Sequence, residues 1–227
     1  MTPDVVQVIW STPVAAASML LTAEESLRLA RLHHQADRDR SATGRALLRI
    51  AVARVLDVEP GAVRIDATCA CCGGSHGQPR VTAPSSTPRL DVSVAHAADR
   101  VLVAVSAAGP IGIDIEPEDA AGFPGFDQIG LTERERREID GLAAADQTRA
   151  RTAKWVQKEA MLKLDGRGLT VSPAAVDTRD AQLIAVDAGA GYTAWLAVRA
   201  RTDPCVVIDD GRPWLARQAA TARTATP

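Results

Sequence analysis

The sequence predicts an α+β protein made of two similar halves. Each half would be a small antiparallel sheet with packed helices, with a ligand cleft between the halves. Three observations predict this. Segments that alternate apolar and polar residues are interspersed with segments of helical spacing, and neither kind fills the chain. Two capping-box tetrads, Thr22-Ala-Glu-Glu25 and Thr132-Glu-Arg-Glu135, open helices 110 positions apart. The same offset takes Arg45 to Trp155 and Arg49 to Glu159, although residue identity at that offset is low. The expected boundaries are an N-terminal half over 1–108, a C-terminal half over 109–215 and a disordered tail over 216–227.

Taken in order, Val5 to Trp10 reads as a short strand. A helix follows Thr22, and another over Ala42 to Leu56 stops before Pro60-Gly61. Residues 69–88, rich in Gly, Pro, Ser and Thr, read as a loop. Leu90 to Val94 and Val101 to Ser106 alternate and read as strands. Residues 107–110 read as a turn that would make Val101 to Glu116 a hairpin. A Gly/Pro loop then carries both phenylalanines, Phe123 and Phe126. Two helices follow Thr132, the second through Trp155 to Leu164 and closed by Gly166 and Gly168. Tyr192 to Val198 and Cys205 to Ile208 read as strands, with Cys205 expected as a buried, inert thiol.

Composition narrows the function. Of 227 residues, 46% are hydrophobic and 24% charged, as in an ordinary protein able to bury a core. A net charge of −2 argues against bulk polyanion binding, and 3% aromatics argue against base-stacking platforms. Neither a membrane-spanning run nor a signal-peptide pattern is present, so the expectation is a cytoplasmic protein with no nucleic-acid or membrane partner.

Five stretches carry candidate chemistry. In Gly112-Ile-Asp-Ile-Glu-Pro117 the strand period puts Gly112, Asp114 and Glu116 on one face. Two acids there repel each other. They form either a solvated strand face or a pair of oxygen ligands for a hard cation such as Mg²⁺. Gly112 would clear room for a close approach to the backbone. In Trp155-Val-Gln-Lys-Glu-Ala-Met-Leu-Lys163, Glu159 and Lys163 share a helix face, which alone is as consistent with a surface ion pair. His96 ends the strand Asp91-Val-Ser-Val-Ala-His96 as either a turn residue or a phosphate donor. Arg45 and Arg49, with Arg38 and Arg40 upstream, form either a solvated basic face or a phosphate grip. Cys69-Ala-Cys-Cys-Gly-Gly-Ser-His76 could begin a zinc site, although no second CxxC or HxxxH half-site follows at the usual spacing.

Together, GIDIE and WVQKEAMLK some forty residues later resemble the paired signature of the 4′-phosphopantetheinyl transferases. The GRALLR, HGQPRV and SVAH segments appear in the family's order, so the resemblance covers most of residues 37–168. Length and apparent duplication resemble the larger, monomeric Sfp-type branch. The resemblance implies transfer of the phosphopantetheine arm of coenzyme A to a serine of an apo acyl or peptidyl carrier protein. The other product would be adenosine 3′,5′-bisphosphate. It implies that Asp114, Glu116 and Glu159 bind Mg²⁺, with Mn²⁺ as the alternative ion. Glu159, or a metal-bound water beside it, would accept the serine proton, and Lys163 would neutralise the pyrophosphate. Arg45, Arg49, Gln78, Arg80, Ser93, Ala95 and His96 would line the coenzyme A site together with Asp114, Glu159 and Lys163. Gln78 and Ala95 depart from the lysine and serine common in the family. Arg134, Arg136 and Arg137, with Phe123 and Phe126, are expected to meet an acidic carrier protein. The rival readings are a catalytically silent coenzyme A binder and a zinc-bearing nucleic-acid binder.

Overall fold

The computed structural model describes residues 5–69, 71–74, 76–85, 89–200 and 203–224. It is a mixed α+β protein. The elements are β1 (Val5–Ser11), α1 (Ala23–Leu29), α2 (Gln35–Leu56), β2 (Arg64–Asp66), β3 (Arg80–Ala83), β4 (Asp91–Ala97) and β5 (Arg100–Ser106). They continue with β6 (Ile111–Pro117), α3 (Phe126–Gly130), α4 (Glu133–Asp140), α5 (Ala144–Leu164), β7 (Gln182–Val186), β8 (Tyr192–Val198), β9 (Cys205–Asp210) and α6 (Arg212–Thr224). The chain divides into two compact units, Met1–Ala108 with Thr202–Pro227, and Gly109–Arg201.

In the first unit the strands run in the order β4-β5-β1-β9. β1 is antiparallel to β5 and parallel to β9. α2 lies on this sheet through Ala46, Leu47, Ile50 and Ala51, all buried with Val92, Val103 and Val105. Gly44 lets the helix approach closely, since a Cβ there would stand 3.1 Å from a Val94 methyl. The capping box at Thr22 opens α1, and Glu25 closes it by accepting from the Thr22 N–H at 2.9 Å.

Three sequence expectations change here. The tail from 216 is not disordered through its described part, because residues up to Thr224 lie in α6. Trp214 and Leu215 anchor that helix in the core, and Arg54 stacks 4.3 Å from the Trp214 ring centroid. Burying two such side chains is worth about 1.5–3 kcal/mol each, enough to hold an alanine-rich helix that would be marginal alone. Val101 to Glu116 is not a hairpin. β5 turns back on β4 through Ala98, at φ +45°, and β6 pairs with β8 in the other unit. Cys205 is exposed rather than buried, on the outermost strand of the sheet.

The second unit has a three-stranded antiparallel sheet, β6-β8-β7. α5 packs across β6 and β8, burying Ala160, Met161 and Leu164 with Ala197 and Val176. The helix read through Trp155 to Leu164 spans Ala144–Leu164. Phe126, Leu131 and Ile139 form a second cluster against Trp155, whose ring meets Phe126 edge-on at 5.8 Å. No helix among the described residues is long and apolar enough to cross a membrane.

Candidate functional site

The site is assembled where α5 crosses β6. A strand placing Gly112, Asp114 and Glu116 on one face needs something to cover that face. α5 covers it through Gly112: a Cβ there would lie 2.0 Å from the Ala160 carbonyl oxygen and 2.5 Å from the Leu164 nitrogen. The room expected beside the acids is therefore taken by helix backbone. That contact sets Glu159 and Lys163, on either side of Ala160 along the same helix, over the acidic face.

Lys163 Nζ donates to Asp114 Oδ1 at 2.7 Å and to the Ile113 carbonyl at 3.1 Å. Asp114 is buried, at 7% exposure. Glu159 Oε1 is shielded from solvent and has no hydrogen-bond partner among the described groups. The electrostatics are those of crowded acids. Burial, then the charges of Asp114 and Glu159, push the Glu116 carboxyl up to about 7 against the opposing Lys163 ammonium. Burial, then Asp114, raise Glu159 as well. One lysine thus faces three carboxylates. Hard oxygen donors, an orphaned buried oxygen and mutual repulsion are what a divalent cation would relieve. The donor set fits such an ion. The three carboxylates are not drawn within 4.8 Å of one another as a trio, since the one such ligand group among the described residues is elsewhere.

α5 is held by an anchor that the sequence reading did not identify. Lys158, next to Glu159, is 0% exposed and pairs at 2.6 Å with Glu135, also 0% exposed. Lys158 also donates to the carbonyls of Gly130 at 2.7 Å and Pro173 at 3.0 Å. Glu135 accepts further from Thr178 Oγ1 at 3.1 Å and from the Thr132 N–H at 2.9 Å, as the capping box requires. Burial opposes its charge, but these donors hold its carboxyl below the usual carboxylate range. Both members stand in motifs already read, the last residue of the second capping box and the lysine beside Glu159, but only the fold pairs them.

The other coenzyme A candidates lie in the first unit. On β4, Ser93 and Ala95 are buried on one face, while His96 is exposed on the other, the face that carries Val94 against α2. The structure thus places Ser93 and Ala95 apart from His96. Arg49 is nearly buried and committed, donating to both Glu25 oxygens at 2.7 and 2.8 Å and to the Leu20 carbonyl at 2.9 Å. Arg45 stands 3.6 Å from Glu25 and keeps more of its fork available. A cavity of about 320 Å³ opens beside Arg49, walled by Leu20, Ala46, Ile50, Arg64 and Gln218. Gln78 precedes β3, and Arg80 opens it as an exposed residue. Of the basic residues on α4, Arg134 is engaged by Asp177 at 2.7 Å and by Glu138, Arg136 donates to the Leu131 carbonyl at 3.2 Å, and Arg137 is exposed.

Residues 110–220 match the family model of the 4′-phosphopantetheinyl transferase superfamily. The matched stretch contains Asp114, Glu116, Lys158, Glu159 and Lys163. Over this stretch, just under half of its length, the chain is similar to that superfamily. A Synechocystis sp. protein named "Putative 4′-phosphopantetheinyl transferase slr0495" is 28% identical over 173 residues. That alignment covers 71% of this chain and 65% of the relative's length.

Proposed function

We propose that this chain transfers the 4′-phosphopantetheine arm of coenzyme A to a serine hydroxyl of apo acyl or peptidyl carrier proteins. The observation that carries the proposal is the placement of Glu159 and Lys163 against Asp114 and Glu116 by the Gly112 contact. Asp114, Glu116 and Glu159 would hold Mg²⁺, which when bound neutralises and orients a pyrophosphate. Glu159, with its raised affinity for protons and its unpartnered Oε1, accepts the serine proton. The serine oxygen attacks the phosphorus on the pantetheine side. The bond to the bridging oxygen breaks, and adenosine 3′,5′-bisphosphate leaves. Lys163 turns from Asp114 to the charge developing on the pyrophosphate.

In this reading residues 1–108 grip coenzyme A. Arg45, Arg80 and His96 offer exposed or half-exposed donors for its phosphates, and Arg49 contributes only by releasing Glu25. Gln78 lines the same ligand, whereas Ser93 and Ala95, buried on the face of β4 opposite His96, would support the strand rather than touch it. The C-terminal half carries the metal residues and meets the carrier protein, where Phe123, 51% exposed, and Arg137 are the accessible members of the expected surface. The chain acts as a cytoplasmic monomer of the Sfp-type branch.

The test is intact-mass spectrometry of an apo carrier protein incubated with this protein, coenzyme A and Mg²⁺. One added phosphopantetheine, abolished by EDTA, supports the proposal. No gain across acyl and peptidyl carriers, with coenzyme A binding retained by calorimetry, would favour the silent binder.

A further inference from the structure

The loop between β2 and β3 holds a second group of ligand-bearing side chains, separate from the carboxylates of α5 and β6. The ligand atoms of Cys69, Cys72 and His76 all lie within 4.8 Å of one another. Cys72 Sγ is 3.0 Å from His76 Nε2. Sequence spacing alone does not ensure such convergence, and here the backbone produces it. The Cys69 N–H bonds to the Gly74 carbonyl at 2.6 Å, and the Gly73 N–H returns to the Cys69 carbonyl at 2.9 Å. Together these close a tight turn between the cysteines. Gly73 sits at φ +70°, where a side chain would be strained.

Two more glycines pack closely, Gly77 against backbone and Gly74 against side chains. A Cβ at Gly74 would stand 3.0 Å from the His76 ring and 3.2 Å from Cys72 Sγ. A Cβ at Gly77 would fall 2.5 Å from the Thr68 carbonyl oxygen and 2.8 Å from the Cys69 nitrogen. The Gly77 N–H bonds the Ala67 carbonyl at 2.7 Å and ties the end of the loop to its beginning. Both sulfurs are met by backbone donors. The N–H groups of Cys71 and Cys72 point at Cys69 Sγ, and the Gly74 N–H points at Cys72 Sγ from 3.4 Å. Such N–H···S bonds are the supporting contacts that metal-bound thiolates use.

We propose that Cys69, Cys72 and His76 bind one zinc ion that staples this loop. Two thiolates and an imidazole are a borderline-soft donor set that selects Zn²⁺ over Mg²⁺. The ligand atoms of a tetrahedral zinc lie roughly 3.3–3.8 Å apart, so the cluster needs only a small contraction. Cys71 is exposed and lies outside the group, leaving the fourth position to water or an exogenous ligand. The lack of a second CxxC or HxxxH partner argued against a zinc site on sequence alone. A three-ligand knuckle removes that objection. The ion would fix the chain immediately before Gln78 and Arg80, but the inference does not depend on what those residues bind.

The experiment is metal analysis of the full chain purified under reducing conditions without chelator and then supplied with Zn²⁺, followed by Co²⁺ substitution. The expected result is one metal ion per chain, with the ligand-field bands of tetrahedral cobalt and a thiolate-to-cobalt charge-transfer band. C69S, C72S and H76A should lose the ion, and C71S and C205S should keep it. Wild-type protein that takes up no zinc, or that recovers only a Cys69–Cys72 disulfide, overturns the proposal. So does full metal content in C69S or C72S. The wild-type cobalt spectrum decides the matter even if a variant fails to fold, because thiolate charge transfer is absent when no cysteine ligates. None of these readouts measures transfer to a carrier protein, so failure here leaves the proposed activity standing, and the reverse also holds.

Discussion

Gly112→Ala should do more damage than its single methyl suggests. The added carbon would lie 2.0 Å from the Ala160 oxygen and 2.5 Å from the Leu164 nitrogen. Those two atoms are the acceptor and donor of one α5 hydrogen bond, four residues apart. No flexible side chain stands there to swing away, so helix and strand must separate. Restoring an ordinary contact of about 3.5 Å moves α5 by more than about 1 Å. Overpacking of this kind costs about 1–3 kcal/mol. The same movement carries Lys163 out of reach of Asp114, now 2.7 Å away, and displaces Glu159 with it. A misplacement near 1 Å costs about a hundredfold in rate. Urea unfolding reads the first effect, and the rate of carrier-protein modification by intact mass reads the second. Gly61→Ala is the control, since a Cβ there meets nothing within 4 Å. A Gly112→Ala protein with the wild-type unfolding midpoint and a rate within about threefold would refute the reasoning.

Lys158→Met leaves Glu135 charged at 0% exposure and should cost about 3–5 kcal/mol in urea unfolding. Adding Glu135→Leu should recover most of this, less about 1 kcal/mol for the lost capping contact, and a double variant no better than the single would contradict the pairing. Lys163→Ala should lower the transfer rate by about 10²–10³-fold while Glu159 and Asp114 stay in place; an unchanged rate returns Lys163 to a simple ion pair. Burial raises the Glu25 carboxyl, but the Arg49 hydrogen bonds and the Thr22 N–H outweigh it and hold the group below its ordinary value of 4.5. Its folded affinity for protons is lower than its unfolded one. Its stabilisation is therefore complete above about pH 4.5 and is lost as the pH falls further. Glu25→Gln should flatten that part of the acid-unfolding curve, and an identical acid slope in both proteins would remove the assignment.

The sequence was most legible where a local rule sufficed. Both threonine capping boxes form as read, because an N-cap and its third residue are three positions apart and need no partner elsewhere. The acidic face of β6 and the Glu159–Lys163 face of α5 follow from periods of two and 3.6. The turn at 107–110 misled because Gly and Pro mark a break in direction without naming the next partner. Pairing β5 with β4, and β6 with β8, depends on which strand edges are free, and that is a property of the whole sheet. The tail misled in the same way: Trp214 and Leu215 stabilise a helix only because a core surface receives them.

By itself, then, the amino-acid order determined which residues could share a face, where the two capping-box helices begin, and that Asp114, Glu116, Glu159 and Lys163 resemble a paired signature. Tertiary structure alone decided what occupies the space at Gly112, which cation each buried carboxylate meets, and that Cys69, Cys72 and His76 converge. The physical reason is one of range. Periodicity and capping act over a few residues through the backbone, whereas burial, charge pairing and steric contact act between segments that only folding brings together.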